Sequence, residues 1–205
     1  MKKLLTLKSI SGIVLGTYKK GGVDMKTLET ERLYLRQWAL SDAADMYEYA
    51  QDPRVGPNAG WPAHKNEEES LGIINMFRAE KDVYAVVLKS ENKVIGSAGL
   101  HLRSPDPNVT DKKQAEIGYV LNPAYWGQGL IPEAVGELLR YGFEEQAFDI
   151  IWCGYYDFNH KSKRVVEKSG FTYQFSIKKT LPLLDNQEVE QRYYCLTKEE
   201  WETGL

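Results

Sequence analysis

Only two cysteines occur in the 205 residues, Cys153 and Cys195, far apart and each inside a strand-like run with aromatic neighbours. That scarcity argues against a disulfide framework, and a zinc site has too few ligands. The expected state is two free thiols packed as small apolar groups. A catalytic thiol served by His160 is the alternative, and nothing else in the chain supports it. Excess positive charge is missing too. Lys and Arg number 26 against 29 Asp and Glu, a net charge of −3. That argues against a broad basic face that binds nucleic acid by neutralising phosphates, while leaving room for a small basic pocket. No apolar run has the length of a membrane span. Met1-Lys2-Lys3-Leu4-Leu5 begins like a secretory signal, but Lys8 and Ser9 interrupt the apolar stretch. No A-x-A cleavage site precedes Lys19-Lys20. Internal repeats and low-complexity tracts are absent. Together with the sparse cysteines, these points set a cytoplasmic location as the expectation, with no nucleic-acid and no membrane partner.

What remains is ordinary for a globular chain: 42% hydrophobic and 27% charged residues, enough for one sizeable core. Thirteen Tyr and five Trp supply aromatic surface for a core or a cleft. The segment Met25-Lys26-Thr27-Leu28-Glu29 reads as the start of a single domain spanning 25–205. Residues 1–24 carry little patterning and read as an extension outside the core fold.

The alternation of Leu33-Tyr34-Leu35-Arg36-Gln37-Trp38 predicts a strand, and Ser41-Asp42 starts a helix that Asp52-Pro53 ends. Prolines and glycines make Val55 to His64 a loop. A second helix is expected from about Asn66 to Glu80. The runs Val83–Leu88 and Val94–Leu100 form a hairpin over Glu91-Asn92-Lys93, and Ala115–Leu121 is a further strand. Pro132 suits the first position of the next helix, whose apolar positions recur near every 3.6 residues through Phe143. Ile150–Tyr156 is a strand, Asn159 caps a helix closed by Gly170, and strands over Phe171–Lys178 and Glu190–Leu196 end the chain. The resulting order, β-α-α-β-β-β-α-β-α-β-β, is an α/β sheet.

The strongest local signal is the strand–turn–helix unit Leu121-Asn122-Pro123-Ala124-Tyr125-Trp126-Gly127-Gln128-Gly129-Leu130-Ile131-Pro132-Glu133-Ala134. Glycines let the backbone approach an anion closely, and the free N–H groups at a helix start, aided by the helix dipole, bind phosphate oxygens. A lone G-x-G is also a plain turn. The chain holds no G-x-G-x-x-G and no P-loop lysine, so nucleotide-binding alternatives lose support.

The unit has company. Glu31-Arg32-Leu33-Tyr34-Leu35-Arg36 comes first, then Ile95-Gly96-Ser97-Ala98-Gly99-Leu100. Glu116-Ile117-Gly118-Tyr119 follows, ahead of Trp126-Gly127-Gln128-Gly129 and Glu133-Ala134, and last come Asn159, Ser162, Lys168 and Gly170-Phe171. In this order and spacing, the stretch from Glu29 to about Trp201 resembles the GNAT N-acetyltransferases. It is most similar to their branch of ribosomal-protein N-terminal acetyltransferases (RimJ/RimL-like). The resemblance implies a mixed, mostly antiparallel splayed sheet of six to seven strands flanked by about four helices. It also implies acetyl-CoA as co-substrate, no metal, and an amine acceptor that is a protein N-terminus or a small molecule. It leaves room for a homodimer.

The resemblance further implies roles. Tyr119, Val120 and Leu121 would pair with the pantetheine arm in the splay. Trp126, Gly127, Gln128, Gly129, Leu130 and Ile131 would surround the pyrophosphate. Asn159 would reach the pantetheine end, or serve only as an N-cap, and Ser162 would lie beside the thioester sulfur, or be an exposed helix serine. Two departures stand out. Trp126 replaces the Arg or Gln of many members, and Ile131 replaces a small residue, so its side chain is expected to narrow the approach to the pyrophosphate. Val166 stands where many members carry a tyrosine acid, so that role does not transfer.

Direct acetyl transfer needs a neutral amine and hence a base. Glu116 is the candidate, as a half-buried strand carboxylate whose pKa burial would raise. The alternative is a surface carboxylate paired with Lys112 or Lys113. Tyr119, Tyr155, Tyr156, His64 and His160 are each equally packing or incidental residues. The acceptor cleft is expected between the Val55–His64 loop, the first two helices and a Leu183–Glu190 loop, lined by Trp38, Trp61 and Tyr193. A non-catalytic acyl-CoA sensor and a purely structural protein remain the competing classes.

Overall fold

The computed structural model describes residues 25–204. Residues 1–24, read above as an extension, lie outside the described residues. Strands β1 (Leu28–Glu29), β2 (Leu33–Arg36), β3 (Val83–Leu88), β4 (Lys93–His101), β5 (Gln114–Leu121), β6 (Ile150–Tyr156), β7 (Thr172–Leu181) and β8 (Gln187–Thr197) form one sheet in the order 1-2-3-4-5-6-8-7. Every neighbouring pair is antiparallel except β5–β6, which is parallel. A parallel pair needs a crossover, and helix α4 (Leu130–Arg140) supplies it.

The helices explain the burial. On one sheet face, α4 packs Leu130, Ala134, Val135, Leu138 and Leu139 against Leu35, Val86, Ile95 and Ile117, with Val166 of α5 (His160–Lys168) beside them. On the other, α1 (Ala43–Ala50) and α3 (Glu67–Glu80) cover Ala85, Val87 and Val94 with Ala43, Met46, Tyr49 and Ile74. Covered on both faces, β3 is buried along its whole length, as its unbroken apolar run requires.

The feature that makes a site is where β5 and β6 part. Their ladder runs from Gln114↔Ile150 to Ile117↔Cys153 and stops. Past that rung β5 stays paired with β4 out to Leu121↔Gly96, and β6 stays paired with β8 out to Tyr156↔Gln191. The sheet is therefore splayed, as the resemblance implies.

Several expectations need correction. The described residues hold eight strands and six α-helices, close to the expected counts, with β1, α2 (Gly56–Ala59) and α6 (Lys198–Thr203) in addition to the elements that the sequence pattern predicts. The stretch 55–64 holds α2 within its loop. Gln187 to Glu190 are strand, so the β7–β8 connection is shorter than the expected loop. Helix α4 begins two residues before Pro132, because Gly129 in a left-handed conformation (φ 77°) starts it. Pro132 still lies in the first turn, where its missing N–H costs no helical bond. The helix widens to a π turn at Tyr141–Glu145, where a Cβ on Gly142 would come within 2.6 Å of Ile151.

Candidate active site

The turn between β5 and α4 is built by its own polar side chains. Asn122 is buried, accepts from the Ala124 amide at 3.0 Å and donates to Glu48 at 2.9 Å. Trp126 donates its indole N–H to the Leu121 carbonyl at 2.9 Å. Gly127 and Gly129 have φ of 80° and 77°, a region that side chains disfavour. A Cβ on Gly127 would meet nothing within 4 Å, so conformation, not crowding, calls for glycine, and the turn lies open. The first α4 bond runs from the Glu133 amide to the Gly129 carbonyl at 3.2 Å. The amides of Leu130 and Ile131 thus precede the helical ladder, at the positive end of the dipole. Ile131 points the other way from expectation. Its side chain is buried in the core, packed with α4's other apolar residues, and does not narrow the turn.

Cations that were not assigned from the sequence gather here. Arg32 donates to the Gln128 carbonyl at 2.9 Å and pairs with Glu133, which also accepts from Thr30. Lys161 lies 4.0 Å from the Trp126 ring centroid, and Arg54 5.7 Å away. Arg32 lies within Glu31–Arg36, but its partner is 101 residues on, so only its tertiary position reveals its work.

At the splay, Tyr119 reaches from β5 to α5, and its hydroxyl lies 2.8 Å from Ser162 Oγ. Burial, seconded by the neighbouring Cys153 thiol, raises the Tyr119 pKa well above the ordinary phenol value. Cys153 is itself buried, and desolvation pushes it up to about 12, so it is an inert thiol and no nucleophile. Asn159 caps α5 by accepting from the Ser162 amide at 3.1 Å and donates to the Asn58 carbonyl at 3.1 Å, which ties α2 to the splay. Val166 is fully buried in the core.

The opposite face of the splayed strands carries Glu116, level with Trp152, then Gly118, Gly154 and Tyr156, and across β8 Gln191 and Tyr193. Glu116 is 6% exposed and accepts from Arg103 Nε at 2.8 Å. The expected lysine is therefore not the partner shown: Lys113 donates instead to the Gln146 carbonyl. Tyr193 packs on Phe175 at 5.4 Å, and its ring lies 3.0 Å from where Gly154 would carry a Cβ. Burial raises the phenol pKa of Tyr156 and of Tyr193, and Glu116 adds to both. Burial lowers that of Lys179, whose Nζ lies 5.4 Å from the Tyr156 ring centroid. Gln191 is buried, with Oε1 lacking a hydrogen-bond partner among the described residues. Trp61 sits half-buried beside His64, their rings 5.1 Å apart. Trp38 departs from its expected place on the cleft wall. It is 2% exposed, packed under α1 and α3 against Phe77, because the strand that carries it ends at Arg36. Among the described residues no His, Cys, Asp and Glu cluster could hold a metal ion, and no helix is long and apolar enough to cross a membrane.

Comparison with known proteins agrees with this fold. Residues 32–172 match the acetyltransferase (GNAT) domain. The uncharacterized N-acetyltransferase YnaD of Bacillus subtilis is 28% identical, over 85% of this chain and 98% of its own. A GNAT-family acetyltransferase of known structure from Bacillus anthracis is 28% identical with a TM-score of 0.75, covering 85% of this chain and 100% of its own. The ribosomal-protein-S5-alanine acetyltransferase from Vibrio fischeri shares the fold at 22% identity and a TM-score of 0.64, covering 86% and 98%.

Proposed function

The chain belongs to the GNAT acetyltransferase family and is an acyltransferase, and from that premise we propose that it moves the acetyl group of acetyl-CoA directly to a primary amine. One observation carries the reading. The β5–β6 ladder ends at Ile117↔Cys153, just upstream of an open glycine turn whose helix start places the Leu130 and Ile131 amides ahead of the first helical hydrogen bond. A thioester arm fits the gap as a pseudo-strand along Tyr119, Val120 and Leu121. A pyrophosphate fits the amides of 127–131, in contact with Trp126 and Gln128 and close to Arg32 and Lys161.

In this reading the amine's lone pair forms the C–N bond, and the C–S bond breaks with its electron pair on sulfur. A backbone N–H at the splay faces the carbonyl oxygen as its charge grows. Glu116, on the strand that leads into the splay, takes a proton from the entering ammonium, directly or through water. Ser162, oriented by Tyr119 and Asn159, hydrogen-bonds the departing sulfur. Trp61 and Tyr193 border the acceptor. The acceptor is a protein N-terminus or a small-molecule amine; the N-terminal branch is favoured by the four ordered motifs. We place the reaction in the cytoplasm, in keeping with two buried, unpaired thiols.

The non-catalytic sensor is motivated by Val166 and Ile131; Ile131 is buried in the core, and the Tyr119–Ser162 pair supplies a hydroxyl in place of the one that Val166 lacks. Calorimetry with acetyl-CoA, followed by thiol release with a panel of amines, separates the two. Turnover establishes the transferase, binding without turnover the sensor, and absence of binding removes both. Glu116→Gln should cut turnover by about 10²-fold while leaving acetyl-CoA affinity within about twofold. Unaltered turnover would retire Glu116 as the base.

A further inference from the structure

His101 ends β4 directly opposite Glu116 on β5, so the two side chains share one face of the sheet. Its Nδ1 lies 2.6 Å from Asp82 Oδ2. A carboxylate only accepts, so Nδ1 carries the hydrogen, and in the neutral ring Nε2 is the nitrogen with the lone pair. The other oxygen, Asp82 Oδ1, is buried with no hydrogen-bond partner among the described residues, so the imidazole is the one hydrogen-bond partner of that carboxyl side chain among them.

Two glycines decide where Nε2 goes. Gly99 precedes His101 by two residues on the same face, and Gly118 is its cross-strand partner. A Cβ on Gly99 would lie 2.9 Å from Nε2, and one on Gly118 3.4 Å. The ring therefore leans along the strand into the space that both leave empty. Gly118 is the first β5 residue beyond the last β5–β6 rung, so Nε2 stands at the mouth of the splay. Glu116, one residue before that rung, is held by Arg103. Glu80, whose pKa burial and then Asp82 raise, is the further charged group beside the ring.

We propose that His101, held by Asp82, is a second catalytic base of the acyl transfer, acting on the attacking nitrogen itself. This deepens the function proposed above and rests on it. An ammonium must shed two protons to become an amide. Glu116 passes the first to solvent as the acceptor enters. As the amine nitrogen bonds to the thioester carbon and the C–S electron pair settles on sulfur, the second proton moves to His101 Nε2. The imidazolium then returns it, through water, to the CoA thiolate, and ammonium plus acetyl-CoA become acetamide, CoA thiol and one released proton.

The test uses the full chain, acetyl-CoA, and three amines: a peptide with a free N-terminal alanine, spermidine and kanamycin. His101→Ala should lower kcat by about 10²-fold with acetyl-CoA affinity unchanged, and added imidazole should restore turnover saturably by filling the vacated space over Gly99 and Gly118. His101→Gln, which keeps most of the volume, should show the same loss without the rescue and guards against misfolding of the alanine variant. Wild-type turnover in both variants overturns the dyad alone. So does a loss that imidazole leaves untouched or that follows weakened acetyl-CoA binding, since both mark a structural role. A wild-type protein that binds acetyl-CoA yet acetylates none of the three amines overturns the dyad together with the transferase reading.

Discussion

Arg32 donates from Nε to Glu133 at 2.7 Å and from its other arm to the Gln128 carbonyl at 2.9 Å, fastening the edge of the sheet to the glycine turn. Glu133 also accepts from Thr30 Oγ1 at 2.5 Å and from the Arg32 amide at 2.8 Å. Burial alone would raise its pKa, but these hydrogen bonds outweigh burial and hold it below the ordinary carboxylate value. A carboxylate depressed in the folded state stabilises it above the unfolded value, and the contribution fades as pH falls through the folded one. Glu133→Gln should therefore be less stable than wild type at pH 7, with the gap in Tm closing below about pH 4. Its acetyl-CoA affinity should fall several-fold as the turn loosens. A Tm gap that stays constant from pH 7 to pH 3 would show that the charge of Glu133 contributes nothing.

Gly129 separates strain from charge at the same turn. Its φ of 77° costs a side chain about 1–2 kcal/mol, and the nearest atom to a Cβ there is a guanidinium nitrogen of Arg32 at 3.7 Å. Gly129→Ala should thus lose stability with a modest change in acetyl-CoA affinity. Gly129→Asp adds a carboxylate where phosphates are expected, and should weaken binding at least tenfold further while the domain stays folded. Equal affinities for the two variants, read by calorimetry, would move the pyrophosphate elsewhere.

What was legible in the sequence is local. Alternation at Leu33 and Leu35, the unbroken run Val83–Leu88 and the Asn159 cap each follow from neighbours a few residues apart, and each is found. What was not legible depends on distant pairing. Glu116 finds Arg103 across a hairpin loop, His101 finds Asp82 just ahead of the neighbouring strand, and Arg32 finds Glu133 from the far end of the fold. Ile131 departs from expectation for a subtler reason. The left-handed Gly129 starts α4 two residues earlier than Pro132 suggests, so Ile131 falls on the core side of the first turn. The two-residue β1 has no periodicity to detect and exists because Leu28 and Glu29 lie against Leu35 and Tyr34.

Tyr119 and Ser162 give the sharpest check on the sulfur end. The 2.8 Å contact between their hydroxyls leaves either one free to donate, and the Asn159 cap fixes the backbone that carries Ser162. Because burial raises the Tyr119 pKa, the phenol stays protonated as pH climbs through its ordinary value of about 10, so the pair keeps its proton under all working conditions. Ser162→Ala should lower kcat about tenfold with acetyl-CoA affinity unchanged, because a hydrogen bond made to the departing sulfur is worth more in the transition state than in the ground state. Tyr119→Phe removes only the group that orients Ser162 and should cost less, a few-fold in kcat, together with about 1 kcal/mol of stability for the lost buried hydrogen bond. The double variant should then be no slower than Ser162→Ala alone, since Tyr119 acts through Ser162. Single losses that multiply in the double variant would mean that Tyr119 serves the thiolate by a separate route, and that Ser162 is not its relay.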